Sequence, residues 1–242
     1  MTIIYEQLPH LQAEFEDSAP QDILRWAAAT FGDRLAVVTS FQPSGIVILH
    51  LLQSIAPATT VITLDTGLLF PETERLIDGL TQRLGLRLVR ACPEQTVQEQ
   101  AQSYGDALWT RDPDRCCHLR KVLPLEQALR GYQAWITGLR RDQSPQRATT
   151  EHLAFDPRGA RIKIAPLARW TEDMVWAYIR AHDLPYNPLH DRGYPSIGCW
   201  PCTQPVPAAL VDRRSGRWVG HGKTECGLHS PCAPPVSSRS SS

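Results

Sequence analysis

Between residues 20 and 137, short apolar runs rich in β-branched residues alternate with longer amphipathic stretches. Residues 35–39 (LAVVT), 61–64 (VITL), 86–91 (LRLVRA) and 134–137 (AWIT) read as strands. Residues 20–31, 45–55 and 72–84 read as helices, the first stopped by Gly32, the second near Pro57 and the third by Gly85. Two more helical stretches lie around 94–104 and 117–130. A β-α-β-α rhythm leads to an α/β fold with a doubly wound, mainly parallel sheet, because parallel neighbours need a crossover and the crossover helices cover both faces. Such sheets bind ligands at the carboxyl ends of their strands. Three loops should therefore face one crevice: 40–44 (SFQPS), 65–71 (DTGLLFP) and 138–147 (GLRRDQSPQR). Further on, 152–155 and 161–165 flank the turn-forming run Asp156-Pro157-Arg158-Gly159, which predicts a hairpin, and Thr171 predicts a helix cap for a helix reaching about His182. The expected division is a first domain over 1–182, a Pro-, Gly- and Cys-rich mobile arm over 183–230, and a low-complexity disordered tail over 231–242.

A hydrophobic fraction of 42% in 242 residues supports a full core. The 25 basic and 25 acidic residues balance, which argues against a general nucleic-acid surface. The first residues lack a basic segment followed by an apolar run, and no apolar stretch reaches membrane-spanning length. A cytoplasmic protein without nucleic-acid or membrane partners is the expectation.

Seven cysteines are unevenly placed. Cys116 and Cys117 are adjacent, Cys199 and Cys202 form a CxxC, Cys226 lies in ECGLH, and Cys92 and Cys232 stand apart. In a reducing compartment clustered cysteines point to metal or catalysis. Two pairs can close around one centre, and spacing alone leaves zinc and an iron–sulfur cluster both open. The adjacent pair fits a cluster, whose separate iron corners accept wider sulfur spacing than a tetrahedral ion. Cys226, flanked by the conformationally free Gly227 and near Lys223 and His229, is a candidate reactive thiol, since positive neighbours favour the thiolate.

Basic residues gather where an anion would need them. Arg140, Arg141 and Arg147 share one post-strand loop, and Arg213, Arg214 and Arg217 precede Cys226. Lys121 follows the cysteine pair by one helical turn. Guanidinium forks suit sulfate and phosphate oxygens. Asp65-Thr66-Gly67 closes a strand, where backbone groups and the Thr66 hydroxyl offer contacts for a ribose or a base edge. His10, His50, His118, His152 and His182 show no ligand spacing.

Together these segments resemble the assimilatory sulfonucleotide reductases, specifically their cluster-containing adenylyl-sulfate (APS) branch, over residues 35–229. The marks are TSFQPSG at 39–45, LDTGLLFPET at 64–73, CCHLRKVLPL at 116–125, TGLRRDQSPQRA at 137–148, YNPLHDRGYPSIGCWPC at 186–202 and KTECGLH at 223–229. The resemblance implies an adenine nucleotide α-hydrolase-like fold, with nucleotide binding in the first domain and cluster binding and catalysis in the arm. It implies Cys226 as nucleophile and one 4Fe–4S cluster on Cys116, Cys117, Cys199 and Cys202, with Lys121 near it. Ser40, Phe41, Asp65, Thr66, Gly67 and Gly138 would line the nucleotide pocket, and Arg147, Arg214, Arg217 and His229 would contact the phosphosulfate. One departure is that Gln42-Pro43 stand where the family usually has Gly soon after the Phe, the Gly here coming at 45.

The implied chemistry is attack of the Cys226 thiolate on the sulfuryl sulfur, with AMP leaving. A second thiol must then release sulfite. No cysteine adjoins Cys226 in a CxxC, so the donor should be an external dithiol such as thioredoxin. The cluster is then left to shape the site and its field. The nearest rival is a reductase of the 3′-phosphorylated nucleotide (PAPS), whose preferring members typically lack the two cysteine pairs. A sulfur-transfer or tRNA-thiolation enzyme would want an SGGxDS-type loop, which 40–45 does not supply, and a non-enzymatic iron–sulfur sensor would not need ECGLH or the arginine loops.

Overall fold

The computed structural model describes residues 2–207 and 212–229, so the tail at 231–242 and Cys232 lie outside the described residues. Six strands form one sheet: β1 (Leu35–Val38), β2 (Thr60–Leu64), β3 (Arg87–Ala91), β4 (Ala134–Thr137), β5 (Leu153–Asp156) and β6 (Arg161–Ile164). Their order is β3-β2-β1-β4-β6-β5, with every pairing parallel except the antiparallel β5–β6 hairpin. The doubly wound, mainly parallel expectation is borne out.

The helices in chain order are α1 (Thr2–Phe15), α2 (Pro20–Phe31), α3 (Pro43–Ile55), α4 (Pro71–Leu84), α5 (Val97–Tyr104), α6 (Leu108–Arg111), α7 (Pro113–Cys117), α8 (Leu123–Ala128) and α9 (Glu172–Ala181). The period-2 alternation of a strand sorts side chains to two faces. Leu35, Val37, Val61, Ala134 and Ile136 pack with Ile23, Leu24, Ile46, Leu49, Ile77, Val175 and Ile179 in the main core, under α2, α3, α4 and α9. The intervening residues Ala36, Ile62 and Trp135 face the other way, against Leu125 of α8 and Leu129. At one edge, β3 carries the ion-paired Arg90, whose guanidinium meets Glu74 at 2.6 Å and Asp78 at 2.7 Å. Such charge discourages pairing of a free edge with another chain.

Differences from the sequence expectation are local. The N-terminal helix α1 was not expected. The stretch around 117–130 is helical as expected up to Ala128 but not regular: α7 runs to Cys117, a single π turn spans His118–Val122, and α8 continues from Leu123. The extra residue of a π turn re-aims the side chains on either side of it, a device common at functional sites. Thr171 caps α9 as expected, its hydroxyl accepting from Met174 N–H at 3.3 Å. The described part of 183–229 packs against the elements that precede it. Leu184, Asn187, Leu189, Ile197, Cys199 and Trp218 are buried, and Asn187 Nδ2 donates to Thr73 at 2.9 Å.

Candidate active site

The sheet order reverses between β1 and β4, and the crevice beyond their carboxyl ends is where an open α/β sheet can admit a ligand. A cavity of about 260 Å³ lies there. One wall is the loop after β1 and the start of α3, including Ser40, Gln42, Ser44 and Gly45; Leu64 and Thr66 come from β2 and its loop, and Gly138 and Arg140 from the loop after β4. Close packing of these loops depends on glycine. A Cβ on Gly45 would sit 2.1 Å from Thr39 Oγ1, and one on Gly138 would sit 3.0 Å from Ser44 Cβ and 3.2 Å from the Gly45 nitrogen. Thr39 Oγ1 is itself engaged, accepting from Phe41 N–H at 3.0 Å. The late glycine of this loop, at 45, thus supplies the close approach despite Gln42-Pro43. The thirteen-residue helix α3 points its N-terminus into the crevice, a favourable place for negative charge.

The far end of the cavity carries the chemistry. Lys121, Arg147, Arg214, Arg217, Cys199, Cys226 and His229 all line it. Several cations surround the buried ring of Trp218: Arg217 at 4.5 Å, Lys223 at 5.4 Å, Lys121 at 5.9 Å and Arg214 at 6.0 Å from its centroid. The indole face offsets part of their mutual repulsion. Residues 199–204 and 214–218 join through a bridge between Thr203 and Arg217, and Trp218 N–H donates to Cys202 O at 3.0 Å. A Cβ on Gly198 would lie 2.1 Å from Arg217 Nη2, so the glycine of GCWPC leaves room for that guanidinium.

Only part of this charge is neutralised by protein. Arg147 holds Glu225 in a two-pronged bond, Nε to Oε1 and Nη2 to Oε2 both at 2.7 Å, and donates from Nη1 to Gln143 at 2.6 Å. Arg214 reaches Thr224 O at 2.9 Å and Glu225 at 3.4 Å, and Arg217 reaches Ser196 at 3.3 Å. The Nε atoms of Arg214 and Arg217 are buried with no hydrogen-bond partner among the described residues. Burial, with Arg147 beside it, lowers the Arg214 pKa to about 10. The site presents unmet donors and excess positive charge to an anion.

Below this lies a second, much smaller cavity, lined by Cys116, Cys117, Cys199 and Cys202 together with Arg120, Lys121, Trp109 and Leu68. The structure thus brings the two cysteine pairs together, all as free thiols. No group of three or more His, Cys, Asp or Glu among the described residues converges as the ligands of a single ion. Four sulfurs around a common hollow are a donor set suited to a thiolate-held metal centre. Of the four, only Cys199 has surroundings that favour the thiolate; Cys116, Cys117 and Cys202 are held toward the protonated thiol. Burial first, and then the neighbouring cysteines, push the Cys116 thiol up to about 11 and the Cys202 thiol to about 12. Burial alone would also raise Cys199, but Lys121, the Thr66 hydroxyl at 3.3 Å and Arg217 bring it below its usual value. Burial likewise opposes charge on Lys121, yet Cys199, Cys117 and Cys226 outweigh it and hold the ammonium firmly protonated. Arg120, buried beneath, ties the segment to the loop after β2 through Thr66 O at 2.6 Å and to α5 through Gln100 at 3.1 Å.

Several expected contacts lie elsewhere. Phe41, Asp65 and Gly67 do not line the cavity. The Phe41 side chain is fully buried in the main core, Asp65 accepts from Gly67 N–H and faces Arg90, and Gly67, at φ +66°, packs on Arg120. Arg141 points away to Glu16 at 2.6 Å; Arg213 does line the cavity, but paired with Glu172 at 2.7 Å. His229 supplies no positive charge. Burial and then Arg147, Lys163, Arg158 and Arg214 drive its pKa well below the usual value, so it is a neutral ring at pH 7, stacked on Trp135 at 5.7 Å. Cys92 is exposed, outside both cavities. Trp218, Glu225 and Gln143 belong to the site without having been singled out; the adjacency of Glu225 to the thiol was the one available signal.

Comparison with known proteins places this site in context. Residues 34–205 match the family model described as the phosphoadenosine phosphosulfate reductase domain. An adenosine 5′-phosphosulfate reductase of Salinibacter ruber is 53% identical over 223 residues, covering 92% of this chain and 88% of the relative. Adenosine 5′-phosphosulfate reductase 1 of Bacillus subtilis is 48% identical over 208 residues, covering 86% of this chain and 89% of the relative. Among solved structures, a phosphoadenylyl-sulfate (PAPS) reductase from Candida auris in complex with phosphate superposes with a TM-score of 0.75 at 33% identity, over 82% of this chain and 97% of that one.

Proposed function

The chain belongs to the phosphoadenosine phosphosulfate reductase family, and we propose that within it this enzyme reduces adenosine 5′-phosphosulfate to sulfite and AMP in sulfate assimilation. The observation that carries the reading is the juxtaposition of Cys226 with Lys121, Arg147, Arg214 and Arg217 at one end of a nucleotide-sized crevice. A thiolate approaching an anionic sulfuryl group meets repulsion that fixed positive charge can offset, and these four cations line the same cavity as the thiol.

The step balances as follows. Cys226 Sγ, as thiolate, bonds to the sulfuryl sulfur, the S–O bond to the phosphate breaks, and AMP leaves with the electron pair. An external dithiol, thioredoxin or a similar protein, then attacks Cys226 Sγ. The S–S bond to the sulfonate breaks and sulfite departs with its electrons; the donor's second thiol expels Cys226 thiolate and leaves the donor as a disulfide. Two electrons and two protons pass from the dithiol. Within this scheme Ser40, Thr66 and Gly138 line the end toward the adenosine, and Arg147, Arg214, Arg217 and His229 the end toward the phosphosulfate. Phe41, Asp65 and Gly67 act behind that lining: they shape the two loops.

Cys116, Cys117, Cys199 and Cys202 would hold one 4Fe–4S cluster, with Lys121 between it and the substrate cavity. When bound, such a cluster supplies a fixed field and rigid thiolate anchors rather than electrons for the sulfur chemistry. The cytoplasm, with its dithiol pool, is the compartment the reaction needs; no described helix is long and apolar enough to cross a membrane.

A sulfite-release assay with reduced thioredoxin tests the substrate. APS should be preferred over PAPS by at least about tenfold in kcat/KM. Equal use of both would place the protein with the Candida auris relative in substrate range; no sulfite from either would end the proposal.

A further inference from the structure

Cys226 is gripped on both sides. On the N-terminal side Glu225 is held by Arg147 and Arg214, which also belong to the anion site. On the C-terminal side two successive carbonyls accept from a single guanidinium outside that site. Arg158 Nη1 donates to Gly227 O at 3.0 Å, and Nη2 donates to Leu228 O. Gly227 stands at φ +87°, a left-handed backbone that only glycine adopts without strain, and this turn brings both carbonyls to one fork.

Arg158 sits at the tip of the β5–β6 hairpin, and its side chain is 11% exposed. Its aim is set from behind. Asp156 Oδ1 accepts from the Arg158 backbone N–H at 3.3 Å and from Nε at 3.4 Å. Asp156 Oδ2 accepts from Trp135 Nε1 at 3.1 Å. Trp135 is fully buried in β4 and stacks on His229, at the end of the same segment. A rigid strand thus fixes the indole, the indole the carboxylate, the carboxylate the guanidinium, and the guanidinium the backbone after the thiol.

We propose that Arg158 is a positioning residue, a latch that keeps the Cys226 segment seated for attack on the sulfuryl sulfur and releases it for the second thiol. The proposal rests on the reaction assigned above, which makes opposite demands on one segment. The first half-reaction needs Sγ inside a cavity of about 260 Å³. The second needs the same sulfur within reach of a protein dithiol, and a folded protein cannot enter such a space. Backbone carbonyls suit a reversible hold. On release they recover their hydrogen bonds from water, whereas a buried carboxylate pair would leave a desolvated charge behind. The Glu225 contact also orders Arg147 and Arg214; the Arg158 contact engages the segment's backbone alone.

The test uses Arg158→Met, which keeps the apolar stem and removes every donor, and Arg158→Lys, which keeps the charge, in the full chain prepared anaerobically. Cys226 alkylation by iodoacetamide without substrate, read by peptide mass, should accelerate at least about fivefold in the Met variant and less in the Lys variant, as expected for loss of a charged hydrogen-bond pair. With APS alone, S-sulfonate formation should slow by about tenfold or more, because the thiol is seated for a smaller fraction of the time. Release of sulfite from preformed adduct by reduced thioredoxin should be unchanged or faster. General loosening would depress both half-reactions equally; that result, or alkylation at the wild-type rate, overturns the latch. If the Met variant fails to fold, the Lys variant is judged on the same two criteria. Wild-type protein that forms no adduct with APS, beside a Met variant that alkylates faster, would sink the assigned reaction and leave the latch standing.

Discussion

Replacing Arg147 by Met removes two bonds to Glu225 at 2.7 Å and one to Gln143 at 2.6 Å. Arg147 and Glu225 retain only 14% and 19% side-chain exposure. Breaking so shielded a pair would cost about 3 kcal/mol; since Arg214 stays at 3.4 Å from Glu225, about 2 kcal/mol is the better figure for docking of the Cys226 segment. Arg147 also faces the cavity, where loss of one charge-assisted contact to a sulfuryl oxygen costs about another 2 kcal/mol. The sum is about 4 kcal/mol, or roughly a thousandfold in kcat/KM for APS. The two contributions separate in a double-mutant cycle with Glu225→Gln. In the Gln background docking is already weakened, so Arg147→Met should cost only about 2 kcal/mol more, leaving a coupling of about 2 kcal/mol. The assay is single-turnover S-sulfonate formation on the four proteins, with iron content checked in each. Coupling below about 0.5 kcal/mol would refute the docking role of the fork. No further loss in the Gln background would refute the substrate contact.

Three further outcomes follow from the same geometry. Gly45→Ala should weaken AMP binding and cost about 1–3 kcal/mol of stability, because its Cβ would displace a Thr39 hydroxyl already bonded to Phe41 N–H; calorimetry showing wild-type AMP affinity would contradict this. His190, packed edge-on to Trp176, has its pKa lowered by burial to about 4. Below about pH 6.5 the unfolded chain binds more protons at this residue than the folded one, so its stabilisation is full above that pH and falls as pH drops toward 4, by about 1–2 kcal/mol at pH 5 after allowance for partial exposure. Melting temperature should therefore fall more steeply from pH 6.5 to 5 in wild type than in His190→Asn, and parallel slopes would rule this out. Anaerobic protein should be brown, with about four iron and four sulfide per chain, and Cys199→Ser should bleach it; stoichiometric zinc without sulfide would exclude the cluster.

What the sequence revealed and what it concealed divide along a physical line. The strands at 35–38, 60–64, 87–91 and 134–137 and the three loops after β1, β2 and β4 were legible because a parallel sheet writes itself as local apolar runs closed by turn residues. The two cysteine pairs and the arginines around Cys226 were legible through residue type and motif. The π turn at His118–Val122 was not, since one added residue leaves the helical periodicity almost unchanged. The inward turn of Phe41 was hidden too: its φ of +54° at a non-glycine position is set by the surrounding loop, not by local propensity. Arg141 and Arg147 look alike in the sequence, yet one meets Glu16 and the other Glu225. Arg158 read only as part of a hairpin turn, because its partners at 227 and 228 become neighbours through the sheet.

The central claim is that Cys226 carries the sulfuryl group. Wild-type protein given APS without any reductant, then digested and weighed, decides it. The peptide bearing Cys226 should gain one SO₃ unit, about 80 Da, and reduced thioredoxin should remove it with release of sulfite, as thiol exchange at that sulfur requires. The same adduct mapped to Cys92 or Cys232, or sulfite still released by a Cys226→Ser protein, would contradict the account.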